Sequence, residues 1–231
     1  MLATVTIEDT AVVVPAYNEA SVIARILHEL CATFSVVVCV DDGSSDSTYA
    51  AACTTPAHVL RHCINLGQGA ALETGIEYAL TLPVRYVATF DADGQHRVSD
   101  LIAMRRALAE SGDDIVLGSR FTGSATDMPR AKRWLLRAAV HFSRWTTGLH
   151  LTDTHNGLRV FTRRVAADLH LKEPGYGHAS EILDTVAQHH WRVREAPVTI
   201  DYTEYARAKG QSMLNAINIA ADTLTAKVLG R

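Results

Sequence analysis

Tyr86–Arg97 reads YVATFDADGQHR, and the fold turns on how this stretch is understood. Its first part is β-branched and aromatic, as expected of a strand buried on both faces. It stops at Asp91-Ala92-Asp93-Gly94, so two carboxylates leave the strand end two residues apart. Asp and Gly alone would fit a surface turn. In an open α/β sheet, however, ligands gather beyond the carboxyl ends of the strands.

The neighbouring sequence predicts such a sheet. Ala11–Ala16 (AVVVPA) and Ser35–Val40 (SVVVCV) are short continuous apolar runs, and His58–His62 is a third candidate strand. Between the first two, Val22, Ile23, Ile26, Leu27, Leu30 and Phe34 form one helical stripe, starting near Asn18 or Ser21. A second helix begins near Asp46 or Ser47, and a third aligns Leu72, Ile76 and Leu80. After the strand RYVATF come the helix VSDLIAMRRAL and a fifth strand, Asp114–Arg120 (DIVLGSR). Repeated alternation predicts a Rossmann-like, mostly parallel open sheet flanked by helices. Four polar signatures, PAYNE, DDGSSDS, DADGQH and GSR, follow strand ends and should meet in one crevice.

The second half is less regular. Residues 130–149 form a basic amphipathic helix, Leu158–Phe161 a short strand, and HASEILDTVAQHH another helix. WRVREAPVTIDYT reads as extended. Residues 210–230 read as a helix with Met213, Ile217, Leu224 and Val228 on one face, suited to core packing, dimerisation or a surface contact. There is no repeat, low-complexity segment or linker, so a single domain over 1–231 is expected.

The chain has 231 residues, 48% apolar and 20% charged, with a net charge of -3. That is enough to bury a substantial core and offers no global basic field for nucleic acid. Cys31, Cys39, Cys53 and Cys63 form no C-x-x-C pair and read as buried free thiols in a reducing compartment. The first residues lack a basic start and a small-residue cleavage site, and no apolar run approaches the ~18 residues needed to span a bilayer. A cytoplasmic protein with peripheral membrane contact at most is expected.

Two carboxylates at i, i+2 around a tight turn can both offer oxygen to Mg²⁺ or Mn²⁺. Gln95 or His96 can add a ligand. PAYNE provides the flat ring of Tyr17 and the acceptor Glu19, while Asp41 or Asp42 can accept from a base or ribose. Gly43 and the following serines allow close approach of a ligand, or simply make a turn and helix cap. Arg120, just past a strand, is placed for a phosphate or a surface salt bridge. There is no G-x-x-x-x-G-K-[ST], and GQGAAL carries Leu72 where a dinucleotide fingerprint needs its third glycine. His189 and His190 are adjacent and make no i, i+4 zinc pair. Arg130, Lys132, Arg133, Arg137 and Arg144, interleaved with Trp134, Leu135, Phe142 and Trp145, suit either a solvated face or anionic lipid.

In order along nearly the whole chain, VVVPAYNEASVI, VVCVDDGSSDST, NLGQGAALETGI, ATFDADGQH, DIVLGSR, DTHNGLRVFTR and RAKGQS resemble the family 2 glycosyltransferases of GT-A fold, in particular small members that act on polyprenyl phosphates. The resemblance implies a nucleotide-sugar half over 1–120 and an acceptor half over 121–231. It implies that Pro15, Ala16, Tyr17, Glu19 and Asp42 form the nucleoside pocket, with Ala92 beside it. Asp91 and Asp93 match a metal-binding pair assisted by Gln95, and Arg120 and Arg207 match phosphate-side arginines. Ser212 is followed by Met213 where the synthases carry Lys, with Lys209 nearby. The implied reaction is an inverting displacement on a UDP- or GDP-linked sugar, with Mg²⁺ or Mn²⁺ offsetting charge on the departing phosphate. A sugar-hydroxyl acceptor would need a base, for which Glu181 is the candidate and Asp153 a rival. A lipid-phosphate acceptor needs none, and Glu181 would then orient it. Asn156, Arg159 and Ser212 would shape the acceptor end, at the inner face of the cell membrane. A non-catalytic sugar-nucleotide binder would be expected to have lost the Asp-x-Asp pair.

Overall fold

The protein, described by a computed structural model over residues 7–126, 130–154 and 156–201, alternates strands and helices through its first half. The elements are β1 (Ile7–Ala16), α1 (Ile23–Cys31), β2 (Phe34–Asp41), α2 (Thr48–Ala52), β3 (His58–Arg61), α3 (Gln68–Leu80) and β4 (Tyr86–Thr89). They continue as α4 (Val98–Ser111), β5 (Ile115–Thr126), α5 (Arg130–Thr147), β6 (Arg159–Thr162), α6 (Arg163–Asp168), α7 (His178–Gln188) and β7 (Val193–Asp201).

The apolar run of β1 is explained by two cores, one on each face of the sheet. Val12 and Val14 pack with Ile23, Leu27 and Leu30 of α1 and with Leu101 and Met104 of α4. Ala11 and Val13 pack on the other face with Leu72 and Ile76 of α3, Val165 of α6, and Ile182 and Val186 of α7. Alternate side chains therefore meet different helices, and every residue from Ala11 to Ala16 is buried.

The strands lie in the order β3-β2-β1-β4-β6-β5-β7. β1, β2, β3 and β4 pair in parallel, as does β5 with β7, whereas β6 is antiparallel to both neighbours. This exception brings the second half of the chain to the site. Arg159, the first residue of β6, lies opposite Thr89, the last of β4. The turn before β6 is thereby set beside the loop after β4.

The structure adds three features to the sequence reading. β5 continues past Arg120 to Thr126, with a register shift between Ser119 and Ser124 where it pairs with β7. Such bulges commonly re-aim side chains beside a site, and Arg120 lies in this one. α1 starts only at Ile23, because residues 18–20 are tied to the loop after β2. Cys39 alone of the four free cysteines is fully buried, while Cys53 and Cys63 are exposed beside the edge strand β3. Burial, aided by the charges of Asp41 and Cys53, pushes the Cys39 thiol up to about 12, which makes it an inert core residue. The helix expected at 210–230 lies outside the described residues, as do Arg207, Lys209 and Ser212.

Candidate active site

The loops after β1, β2 and β4 emerge at the same end of the parallel sheet. The first two are stitched together. Asn18, at φ 54°, accepts from Ser45 N at 2.9 Å and donates its own N–H to Ser44 Oγ at 2.9 Å. Glu19 N donates to Thr48 Oγ1 at 2.7 Å, and Asp42 N donates to Ala16 O at 2.8 Å. Pro15 and Ala16 end β1, and the Tyr17 ring is left 45% exposed above this scaffold while Glu19 is buried.

Asp42 behaves differently from the free ligand expected of it. Its Oδ1 accepts from Leu66 N at 2.9 Å and contacts His62 Nδ1 at 2.7 Å, and its Oδ2 accepts from Gly67 N at 2.7 Å. The carboxylate is buried and holds residues 62–67 in place. Asp41, also buried, meets Arg61 Nε at 3.0 Å, although neither of its oxygens has a partner of good hydrogen-bond geometry. The first turn of α3 is closed as well. Gly69 N and Ala70 N donate to Pro174 O at 2.7 and 3.2 Å, and a Cβ on Gly69 would lie 2.0 Å from Glu173 O. The N–H groups that would bind a dinucleotide pyrophosphate are thus occupied by the chain itself.

Asp91 and Asp93 are held by side chains. Gln68 Nε2 donates to Asp91 Oδ1 at 3.0 Å, and His96 Nε2 lies 3.1 Å from Asp91 Oδ2. Gln95 donates its backbone N–H to Asp93 Oδ1 at 3.0 Å and its side-chain amide to Oδ2. Burial pushes the Asp91 carboxyl up, but the His96 hydrogen bond and the charges of His96, Arg159 and His178 outweigh it and hold the group below its ordinary value. Asp93 is raised, first by burial and then by the charge of Asp91. Ala92 between them is buried. The two carboxylates are therefore close enough to repel, and a cation between them would relieve both.

The second half approaches through Gly157. A Cβ at this position would sit 1.9 Å from Asp91 Oδ2, so only glycine lets the turn before β6 lie against the acidic loop. Gly157 O also accepts from Thr89 Oγ1 at 2.6 Å. Asp153 accepts from Arg120 Nε at 2.6 Å and Arg120 N at 3.1 Å, a buried ion pair. Glu195 of β7 in turn accepts from Thr152 N, Thr152 Oγ1 and Asp153 N at 2.8–3.0 Å. Arg120 is thus positioned through two carboxylates, and Asp153, the rival base, is engaged as its counter-ion.

Two expected acceptor residues are used internally. Asn156 is buried, its Oδ1 accepts from Leu158 N at 2.9 Å, and its Nδ2 is sealed without a partner. It shapes the turn and faces no open space. Glu181 was expected as a base or an orienting group on the helix facing the site. Instead its carboxylate accepts from Lys172 N at 2.9 Å and Glu173 N at 3.0 Å, bracing the segment whose Pro174 carbonyl closes α3. Arg159 does reach the site, in electrostatic range of Asp91 and Asp153. The sequence reading missed Gln68, Gly157, His178 and Glu195. Gly157 and Gln68 lie inside motifs already noted, but their contacts with Asp91 span tens of residues and leave no periodic trace.

Among the described residues, no three His, Cys, Asp or Glu side chains converge as a metal cage. Mg²⁺ and Mn²⁺ commonly take one or two carboxylates and complete their shell with water and substrate phosphates. Asp91, Asp93 and the amide oxygen of Gln95 would be the protein's share.

Comparison with known proteins identifies the family. Residues 11–169 match the family model for glycosyl transferase family 2, and the chain belongs to that family: it is a glycosyltransferase of GT-A fold. An uncharacterized protein, MJ1222, of Methanocaldococcus jannaschii is 33% identical over 96% of this chain and 93% of its own length. The UDP-N-acetylglucosamine–dolichyl-phosphate N-acetylglucosaminyltransferase of Methanococcus voltae is 27% identical, covering 90% of this chain and 91% of the relative. The polyprenol monophosphomannose synthase of Mycolicibacterium smegmatis is 29% identical, covering 91% and 82%. In structure, glucosyl-3-phosphoglycerate synthase of Mycobacterium tuberculosis, crystallised with Mn²⁺, UDP-glucose and phosphoglyceric acid, superposes with a TM-score of 0.70 at 17% identity over 94% of this chain and 77% of that one.

Proposed function

We propose that this glycosyltransferase moves a sugar from a UDP- or GDP-linked donor to the phosphate of a polyprenyl phosphate, with inversion, using Mg²⁺ or Mn²⁺. The observation that carries the reading is the pair Asp91 and Asp93 at the end of β4, against which Gly157 lies without a Cβ and with Arg159 in electrostatic range of Asp91. The names of the M. voltae and M. smegmatis relatives support a lipid-phosphate acceptor. The first 120 residues hold the donor and residues 121–231 the acceptor.

Tyr17 offers its ring to the base, and Asp42 shapes the nucleoside end through residues 62–67. A bound divalent cation would supply charge stabilisation to the leaving diphosphate. Asp91 and Asp93 orient the donor by fixing that charge, and Arg120, held by Asp153, adds a second positive group. Arg207 and Ser212 complete the phosphate side in this reading. A sugar hydroxyl would have to lose a proton, and Glu181 is committed to the 172–173 backbone. An acceptor that arrives ionised suits the site better.

Such an acceptor lies in a membrane. No helix among the described residues is long and apolar enough to cross one, and α5 supplies a surface for contact from one side. Trp134 and Trp145 are 73% and 82% exposed. Eleven residues at about 100° each leave them only ~20° apart around the helix, with exposed Arg133, Arg137 and His141 beside them. Aromatic rings flanked by cations suit an anionic bilayer interface.

Calorimetry with UDP and GDP, each with and without Mn²⁺, tests the donor half. Tighter binding with metal is expected for one nucleotide, and Asp93→Ala should lose that gain. Equal, metal-independent binding by both proteins would overturn the reading. Sedimentation with phosphatidylglycerol vesicles tests the surface: the Trp134→Ala/Trp145→Ala protein should remain largely in solution.

A further inference from the structure

The acidic loop after β4 contains its own hinge. Gly94 sits at φ 73°, a conformation that glycine adopts freely and other residues rarely do. Asp93 lies on one side of it and Gln95, the implied third metal ligand, on the other. Gln95 directs its backbone N–H and its side-chain amide to Asp93. Those bonds stay inside the loop and do not tie it to the rest of the protein.

The end of β7 does so. Asp201 N donates to Gln95 O at 3.0 Å. Two residues past Gln95, Arg97 donates from Nε and Nη2 to the two carboxylate oxygens of Asp201, at 2.8 and 2.9 Å. Thr199 N donates to Asp100 Oδ2 at 2.6 Å, in the first turn of α4. Asp201 therefore grips the loop on both sides of His96, once through its backbone and once through its carboxylate. The strand behind this grip is itself fixed. Ala196, Val198 and Ile200 are buried in one core with Leu101 and Met104 of α4. Six residues before Asp201, Glu195 of the same strand holds Thr152 and Asp153, and through them Arg120.

The plain alternative is a surface tie. Both side chains of the Arg97–Asp201 pair are partly exposed, and such pairs add little to stability. The geometry favours a positioning use. A guanidinium–carboxylate fork fixes orientation as well as distance, and this one stands beside the hinge of the loop. Mg²⁺ in particular is sensitive to such placement, because it demands near-ideal octahedral geometry.

We propose that Asp201 and Arg97 are positioning residues for the metal ligands, and that β7 is the strut that sets the acidic loop against Arg120. The inference rests on the donor reading above, in which Asp91, Asp93 and Gln95 hold a divalent cation. Without the fork the ligands remain, but the cation must order the loop that carries them, which weakens its binding.

The test is calorimetry of UDP and GDP, with and without Mn²⁺, on the unsubstituted protein, Asp201→Asn, Arg97→Gln and the double variant, beside thermal melts. The gain in nucleotide affinity given by Mn²⁺ should fall about fivefold in either single variant, and no further in the double variant, because all three remove the same contact. Binding without metal should stay within about twofold, and the melting temperature within about 4 °C, of the unsubstituted protein. Arg97→Lys keeps the charge without the fork and should fall between. Glu195→Gln loosens the other arm of the strut, so it should weaken binding without metal and keep the metal gain; the reverse pattern would overturn the strut. A full metal gain in both single variants would overturn the inference and leave the donor reading standing. So would additive losses in the double variant, or an equal loss of metal-free binding with a much lower melting temperature, which would mark the pair as a general structural tie. Absence of any Mn²⁺ gain in the unsubstituted protein would overturn both.

Discussion

Two acidic turns flank β1, one after β2 and one after β4, and the fold uses them in opposite ways. Asp42 is a buried carboxylate that takes two backbone N–H groups and a histidine, and beside it Asp41 is covered by Arg61. Asp91 and Asp93 take mainly side chains, Gln68, His96 and Gln95, which can rotate away. Backbone partners build structure, because they cannot leave without unfolding the loop. Side-chain partners can rotate away and leave the loop intact. The same residue type at equivalent strand ends is a scaffold in one turn and a candidate ligand set in the other.

The contrast can be broken most severely at Asp93. Asp93→Asn should lower transfer on the order of 10³-fold with little change in melting temperature, since it removes a carboxylate whose charge is disfavoured in the fold. Turnover measured alongside a thermal melt checks both halves. Asp42→Ala should do the reverse. Stranding Leu66 N, Gly67 N and His62 should cost about 3–5 kcal/mol, or roughly 10 °C in melting temperature for a chain of this size. A melt as high as that of the unsubstituted protein would show that the turn after β2 is no scaffold.

Smaller effects sharpen the distinction. Gly157→Ala would force Asp91 and the turn before β6 apart. Manganese-dependent nucleotide affinity should fall about tenfold, or ~1.4 kcal/mol, with binding in the absence of metal unchanged in calorimetry. Asp114 is a third acidic residue, remote from both turns. It accepts from Arg192 N at 2.9 Å and Arg164 at 2.7 Å, and although burial raises its pKa, these hydrogen bonds and charges hold it below its ordinary value. A carboxyl depressed in the folded state contributes its full stability above its unfolded value of about 4 and loses it as pH falls through the lower folded value. Asp114→Asn should therefore cost about 1–2 kcal/mol at neutral pH and flatten the acid side of a stability–pH curve, with transfer unaffected.

Much of this protein was legible in its residues because local physics wrote it there. Continuous apolar runs marked the central strands, and the stripe from Ile23 to Leu30 marked α1. Asp-x-Asp at the end of YVATF marked the metal-ligand candidates. What the residues left open has one cause: a polar side chain does not announce whether its partner will be a ligand or the chain's own backbone. Asp42, Glu181 and Asn156 were expected at the ligand, and the structure bonds them to the backbone of residues 66–67, 172–173 and 158. Cys53, which follows three alanines, and Cys63 were expected inside with the other thiols, yet both are exposed beside an edge strand.

The sequence alone determined the α/β alternation, the mostly parallel sheet and the polar loops at its strand ends, because strand burial and helix periodicity act over a few neighbouring residues. Only the tertiary structure decided that β6 runs antiparallel and brings Gly157 and Arg159 against Asp91, that Arg120 is held by Asp153, and that Asp42 is scaffold. These outcomes depend on packing between segments far apart in the chain, where a single missing Cβ or one matched charge decides what fits.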